Sequence, residues 1–164
     1  MPDDTPNPVL RKILEETRTI AAVGVSTNPI RPSYFVVRYL HYRGFNMIPV
    51  NPVYAGAQMF GREVVASLSD IPKGQAVDMV EVFRRSEAVP GILDEALEHL
   101  TGLKTLWMQF GIYNEDAAAT GRAAGLQVVQ DRCPKIEYQR LFGELRKAGI
   151  NTGIISSKLP EWMS

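Results

Sequence analysis

Short apolar runs alternate with amphipathic, helix-like segments along most of this chain, and no other feature limits its fold as strongly. The apolar runs are residues 19–25, 45–50, 76–83, 103–109 and 126–130. Such short, nearly continuous runs are typical of strands that are buried on both faces of a parallel sheet. Because parallel strands need crossover connections, the segments between the runs are expected to be mostly helical.

Apolar spacing and capping residues predict those helices. They are expected at 7–17, 33–43, 67–71, 86–100, after Asn114, and at 136–148. Ser33 is expected to cap the second of them. Right-handed crossovers then give a Rossmann-like α/β fold, a doubly wound parallel five-stranded sheet with flanking helices. We predict the strand order 3-2-1-4-5, with the ligand beyond the carboxyl ends of the strands at the switch in strand order.

The length of 164 residues suits a single domain, which we place at 1–148, with a loose N-terminal arm at 1–6. Residues 149–164 form a polar tail whose apolar residues suit packing on the domain or on a partner, such as a second copy in a homodimer or an unknown protein. Eighteen basic residues balance eighteen acidic ones, which argues against a nucleic-acid binder. The sequence has no secretory signal and no membrane-spanning run, so we expect a cytoplasmic protein.

The loop after the first apolar run has the features of a phosphate site. Gly24 lets backbone approach a ligand, and the loop enters a helix whose free N–H groups attract anions. Ser26 and Asn28 are candidate donors, Arg31 supplies a positive charge, and Ser33 lies near the helix start. A plain turn with a capping serine and no ligand is the alternative at this point.

The same loop does not match an NAD site. The dinucleotide fingerprint GxGxxG is replaced by GVSTNPIRPSY, which contains one glycine. An acid that binds the ribose is expected at the end of the second strand, where this chain has Asn51 followed by Pro52. The sequence therefore predicts a nucleotide other than NAD.

Several motifs together resemble one family. The segments VGVSTNP, RPSYFVVRYL, GFNMIPVNP, SLSDIP, DMVEVFRRSE and LWMQFGIYNEDAA…GLQVVQDRC follow the order found in small stand-alone CoA-binding proteins. Their fold is similar to the N-terminal CoA-binding domain of the succinyl-CoA synthetase α subunit. The resemblance covers about residues 10–145 and implies that coenzyme A is the ligand.

The resemblance also implies where each part of coenzyme A lies. The diphosphate is expected on the first loop, at Gly24, Val25, Ser26 and Asn28, with Arg31 nearby, and the nucleoside is expected across Asn51 and Pro52. The pantetheine arm is expected to pass Val82, Phe83 and Arg84 toward a wall that includes Trp107, Gln109 and Gly111. One departure is Val53, where the family commonly has a lysine that meets the 3′-phosphate; Arg31, Arg62 or Arg84 could substitute for it.

Residues that could perform chemistry are few. Cys133, the one cysteine, lies just past the last strand, and we interpret it as a small packed side chain. His41 and His99 are isolated from each other, so no metal site is predicted. We therefore predict a CoA-binding module without a catalytic centre of its own. The alternatives are a CoA-dependent enzyme or enzyme subunit that uses Cys133 or a partner's reactive group, and a scaffold whose pocket has degenerated.

Overall fold

The computed structural model describes residues 3–144, so the predicted tail at 149–164 lies outside the described residues. Helices and strands alternate as the sequence predicts. In chain order they are α1 (Asn7–Glu16), β1 (Thr19–Val23), α2 (Pro32–Tyr42), β2 (Asn46–Val50), β3 (Gln58–Met59), β4 (Arg62–Glu63), β5 (Met79–Val82), α3 (Val89–His99), β6 (Thr105–Met108), α4 (Glu115–Ala123), β7 (Gln127–Val129) and α5 (Pro134–Leu141).

Five of the strands form one parallel sheet in the order β2-β1-β5-β6-β7. Val23 of β1 pairs with Val50 of β2 on one side and with Val82 of β5 on the other. The parallel five-stranded fold is confirmed, but the predicted strand order is wrong, because the third strand of the sheet lies beside the first and not beside the second. Both orders use the same right-handed crossovers, so the alternation of elements cannot distinguish them. The switch point consequently lies between β1 and β5.

The helices cover the two faces of the sheet unequally. Ile20 and Ala22 of β1 pack into a cluster with α1, α2 and α5, which we call the three-helix face. Ala21 and Val23 point the opposite way, into a cluster with α3 and α4, which we call the two-helix face. This alternation follows from the pleat of a strand, and it buries all five residues of β1.

The connection between β2 and β5 is the least regular crossover. It begins with a 3-10 turn at Pro52–Tyr54, continues through the antiparallel β3–β4 pair and ends in a 3-10 turn at Leu68–Asp70. Ser67 and Asp70 close that second turn with a reciprocal capping box. The helix predicted at 67–71 is therefore a single 3-10 turn, since the chain leaves it after three residues.

Two local contacts, one at the start of α4 and one near the N-terminus, bear on the sequence predictions. Asn114 caps α4 as predicted, because its side chain accepts a hydrogen bond from the Ala117 amide at 2.9 Å. Asp3 belongs to the segment predicted as a loose arm, and its carboxylate accepts a hydrogen bond from the Gln130 amide at 2.5 Å. Within residues 3–144, the helices are all too short or too polar to cross a bilayer.

Candidate functional site

A cleft opens at the carboxyl edge of the sheet, at the switch point between β1 and β5. The chain leaves β1 toward α2 on the three-helix face and leaves β5 toward α3 on the two-helix face, so the two loops diverge. We call the space beside them the edge cleft; it has a volume of about 460 Å³. It is lined by Val23, Gly24, Val50, Pro52, Ala66, Ser67, Leu68, Arg84, Ala88, Gly91, Ile92 and Glu95.

Gly24 and Arg84 meet at the mouth of the edge cleft. Gly24 has a φ of +91°, a conformation that side chains strain. A Cβ atom at this position would also lie 2.7 Å from Cδ of Arg84. The absence of a side chain at Gly24 therefore lets the stem of Arg84 cross the end of β1, while the Arg84 side chain stays exposed.

Glu95 places a negative charge in the same cleft. It lies on α3, and its Oε1 accepts a hydrogen bond from the Ser69 amide at 2.9 Å. Ser69 belongs to the 3-10 turn at Leu68–Asp70, whose Leu68 also lines the cleft. This contact fixes the carboxylate against the β2–β5 connection, so the cleft has a cation at one end and an anion at the other.

Gly91 keeps the wall between these charges open. It lies in the first turn of α3, and a Cβ atom built there would have no other atom within 4 Å. A glycine inside a helix costs about 1 kcal/mol relative to alanine, so it is expected where a side chain would obstruct something. The wall of the cleft along α3 therefore carries no side chain at Gly91.

The first loop differs in detail from the phosphate loop predicted from the sequence. The Ser26 amide donates to Ser33 Oγ at 3.0 Å, and the Asn28 amide donates to Ser26 Oγ at 3.0 Å. The Ile30 amide donates to Asn28 Oδ1 at 3.2 Å. Arg31 precedes α2 and is exposed. Side chains of the loop thus accept from its own amides, and a phosphate there would have to replace these acceptors.

Ser33 is consequently not the helix cap that the sequence predicts. The residue at the N-cap of α2 is Arg31, and its side chain makes no capping hydrogen bond. Because Pro32 and not Ser33 begins the helix, the Ser33 hydroxyl lies inside the first turn and accepts from Ser26 instead.

Asn51 joins the ends of β1 and β2. Its Nδ2 donates to the carbonyl of Val25 at 2.9 Å, and its Oδ1 accepts from the Val53 amide at 2.9 Å. Asn51 and Val25 are both buried. Val53 is 78% exposed beside Pro52, which lines the cleft. Asn51 therefore shapes the nucleoside end of the predicted site through these bonds.

The residues predicted along the pantetheine arm lie at different depths. Val82 is fully buried in the core of the two-helix face. Phe83 is half-buried on the opposite face, and Gly111 is exposed, with its amide donating to Asp131 Oδ1 at 2.6 Å. Gln109 is half-buried, and its Oε1 atom has no hydrogen-bond partner among the described residues. Trp107 is fully buried and belongs to the core of the three-helix face.

Cys133 is buried beside Gln109. Burial raises the pKa of the Cys133 thiol, and a hydrogen bond from Gln109 offsets part of that rise. A raised pKa lowers the fraction of reactive thiolate, which is opposite to what a nucleophilic cysteine needs. In the described part of the chain, no group of three or more His, Cys, Asp or Glu side chains is arranged to hold a metal ion.

The edge cleft thus brings together three of the predicted site residues, Gly24, Pro52 and Arg84. The other predicted residues lie in the first loop, at the end of β2, in the core, or just after β5 and β6. Sequence reasoning missed the contributions of α3 and of the 3-10 turn before β5. The glycine in the segment VPGI, at Gly91, was a local signal that could have drawn attention to α3.

A second groove lies away from this edge. Its volume is about 500 Å³, and it runs between residues 3–6 and the outer strand β7, bordered by Glu115 and Arg122 of α4. None of the predicted site residues lines it. We base the candidate site on the edge cleft because ligands of open parallel sheets bind at the switch point.

Comparisons with known proteins agree with this fold and family. The family model described as "CoA binding domain" matches residues 18–139. The uncharacterized protein YneT of Bacillus subtilis (strain 168) is 37% identical over 129 residues, which are 79% of this chain and 91% of that protein.

Two solved structures are similar over most of the chain. One, from Thermus thermophilus, is 38% identical with a TM-score of 0.78, and the match covers 84% of this chain and 100% of that one. The other, a hypothetical protein from Pyrococcus horikoshii OT3, is 33% identical with a TM-score of 0.79 and covers 87% of this chain and 97% of that one.

Proposed function

The chain belongs to the family of CoA binding domains, and from this premise we propose that its edge cleft binds the ADP part of coenzyme A or of a close nucleotide relative, with no chemical step of its own. The observation that carries the proposal is the position of the cleft. It lies at the switch point, and Gly24, Pro52 and Arg84 from three separate loops converge on it.

The charges of the cleft support an orientation for the nucleotide. Arg84 lies two residues before the 3-10 and α-helical segment that begins with Ser86 and continues as α3. The positive end of the α3 dipole adds to the guanidinium charge, so this end suits the diphosphate. The adenosine then extends along α3, past Gly91 and toward Glu95.

The pantetheine arm is proposed to leave the diphosphate in the direction of β6. Gln109 follows β6, and its Oε1 is a buried acceptor with no hydrogen-bond partner within residues 3–144. Pantetheine carries two amide N–H groups, and a buried acceptor without a partner costs about 1–3 kcal/mol. An amide of the arm would satisfy Gln109, which supports this path.

The first loop is proposed to supply further contacts to the diphosphate. Ser26, Asn28 and Ser33 would turn their amides and hydroxyls from each other to the phosphate oxygens, and Arg31 would add a charge from the start of α2. Such a change exchanges neutral hydrogen bonds for charge-assisted ones, which are about twice as strong.

Binding by Arg84 is tested by isothermal titration calorimetry with coenzyme A. Arg84→Ala is expected to weaken binding about tenfold, because it removes a charge-assisted contact worth roughly 1–3 kcal/mol. Arg85→Ala is the matched control, since Arg85 is also exposed but does not line the cleft. Equal effects of the two variants would show that only general charge matters and would contradict the proposed site.

Occupation of the cleft is tested by filling it. Gly91→Leu adds a side chain in open space, so ligand affinity should fall by more than tenfold while the melting temperature stays level or rises, because leucine favours a helix. Asp94→Leu, on the same helix and outside the cleft, is the control. If Gly91→Leu binds coenzyme A as the original protein does, the ligand lies elsewhere.

A further inference from the structure

The two ends of the edge cleft carry opposite charges. Arg84 is the one cation among the described residues that line the cleft. Glu95 lines the opposite end. A carboxylate thus stands at the end where the adenosine is proposed to lie.

The spacing along α3 fits a nucleoside between these ends. Glu95 is four residues beyond Gly91, which is about 6 Å along a helix axis. Ala88, just before α3, lines the cleft near Arg84 and lies about 10 Å from Glu95 along the same axis. A ribose attached to a diphosphate at Arg84 therefore reaches the Glu95 end of the cleft.

Glu95 has acceptor capacity left at this end. The Ser69 amide uses one lone pair of its Oε1, and an ionised carboxylate offers about four acceptor sites and no donor. A ribose hydroxyl can donate to such a group. A phosphate monoester can only accept at neutral pH, and its charge of nearly −2 repels a carboxylate.

The opposite wall of the cleft offers no compensating charge at Pro52. The next residue, Val53, is apolar and 78% exposed. Its amide donates to Asn51, so this position offers a ribose phosphate neither a side-chain cation nor that N–H group. Neither Glu95 nor the Val53 position thus offers an additional phosphate a positively charged or N–H partner.

We propose that Glu95 selects nucleotides whose ribose has no 3′-phosphate, so that the cleft prefers dephospho-coenzyme A to coenzyme A. This inference rests on the proposed function and names the form of the ligand. The Glu95 carboxylate accepts a hydrogen bond from a ribose hydroxyl, and it repels the 3′-phosphate of coenzyme A. Glu95 acts by selecting the ligand and takes part in no bond-making step.

Titration calorimetry with the full chain tests this selection. Dephospho-coenzyme A and coenzyme A are titrated at one ionic strength, and the former is expected to bind about tenfold more tightly. If coenzyme A binds equally or more tightly, the inference is overturned while the proposed function stands. If neither ligand binds below millimolar concentration, the proposed function itself fails.

Two substitutions locate the effect at Glu95. Glu95→Gln keeps an oxygen acceptor for the Ser69 amide and removes the charge, so it should strengthen coenzyme A binding about fivefold and change dephospho-coenzyme A little. Glu98→Gln removes a charge from an exposed position of the same helix, outside the cleft, and should leave the ratio of the two affinities unchanged. If Glu98→Gln shifts that ratio as much as Glu95→Gln, the selection is not local and the proposal is wrong.

A third substitution adds the missing cation. Val53→Lys places an ammonium group beside Pro52 at an exposed position, so folding should be unaffected. Coenzyme A should then bind about tenfold more tightly, with dephospho-coenzyme A nearly unchanged. An equal gain for both ligands would place the ribose away from Val53 and overturn the proposed orientation.

Discussion

The two faces of the sheet are built from different kinds of side chain. On the two-helix face, α3 buries Val89, Leu93 and Ala96, and α4 buries Ala117, Ala118 and Gly121. On the three-helix face, α5 buries Pro134, Lys135, Glu137 and Gln139. One face of the same sheet is therefore covered by apolar helices, and the other includes a helix that buries charges.

The charged groups of the three-helix face are mostly paired. Glu144 follows α5 and accepts from Arg43 Nε at 2.6 Å and from the Tyr39 hydroxyl. Burial and the neighbouring carboxylate raise the pKa of Tyr39. Glu81 differs from them, because it lies on β5 with no exposed surface, and both its carboxylate oxygens have no hydrogen-bond partner in the described part of the chain.

The two faces of the sheet therefore differ in how their stability depends on pH. Packing of apolar side chains stabilises the two-helix face without involving protons, and the edge cleft opens on that face between Gly24, Gly91 and Glu95. Buried titratable groups on the three-helix face make its stability depend on pH. Substitutions that affect stability on the two faces should accordingly differ in their pH dependence.

The largest effect is expected from Leu106→Ala on the two-helix face. Leu106 is fully buried on β6, and truncating a buried leucine to alanine costs about 2–5 kcal/mol. Urea unfolding should show the same loss at pH 5, 6, 7 and 8, because no titratable group is removed. A loss below 1 kcal/mol, or one that changes with pH, would contradict the contrast between the faces.

Glu81→Met on the three-helix face should have a smaller effect of opposite sign. Burial raises the pKa of Glu81 well above its ordinary value. Above pH 4.5 the unfolded chain therefore loses its Glu81 proton while the folded protein keeps it, so the original protein loses stability as pH rises through this window, by at most about 1.4 kcal/mol per pH unit. Methionine has a similar volume and removes the unpartnered acid.

Unfolding in urea from pH 4 to 8 measures this effect. Glu81→Met should be more stable by about 1–3 kcal/mol near pH 7, and the gain should shrink toward pH 4. Glu98→Met is the control, because Glu98 is exposed on α3, and its difference from the original protein should not vary in this way. A gain that does not vary with pH would mean that Glu81 titrates normally.

The alternation of elements was predictable from the sequence because it depends on local spacing and on caps such as Asn114. Strand order was not, because the choice between pairing β5 with β1 or with β2 is made by packing across the sheet, which no local pattern records.

The candidate site was predictable only in part. Gly24, Pro52 and Arg84 follow from the rule that ligands bind at the carboxyl edge. Glu95 could not be found in this way, because it reaches the cleft from the middle of a helix. The burial of Glu81, which lies outside the cleft, was predictable but was not predicted. An acidic residue inside an apolar strand run lies on one of two faces that helices cover.

The smallest effect is expected from Lys135, on the same face as Glu81. Burial lowers the pKa of Lys135 to about 8, with the Cys133 and Glu144 charges opposing this shift and Arg38 adding to it. Between pH 8 and 10 the folded protein releases this proton before the unfolded chain does, so Lys135 makes the protein more stable as pH rises. Lys135→Met removes that contribution.

The difference in unfolding free energy between the original protein and Lys135→Met follows the titration of Lys135 together with its coupling to the Cys133 thiol, because the phenols of Tyr39 and Tyr138 are present in both proteins. From pH 7.5 to 9.5 the difference should move in favour of the original protein by on the order of 1 kcal/mol. Lys104→Met, at an exposed position, should show no such trend. A flat difference for Lys135→Met would place its ammonium in water-like surroundings and leave Glu81, Tyr39, Tyr138 and Cys133 as the groups of the three-helix face whose pKa is shifted.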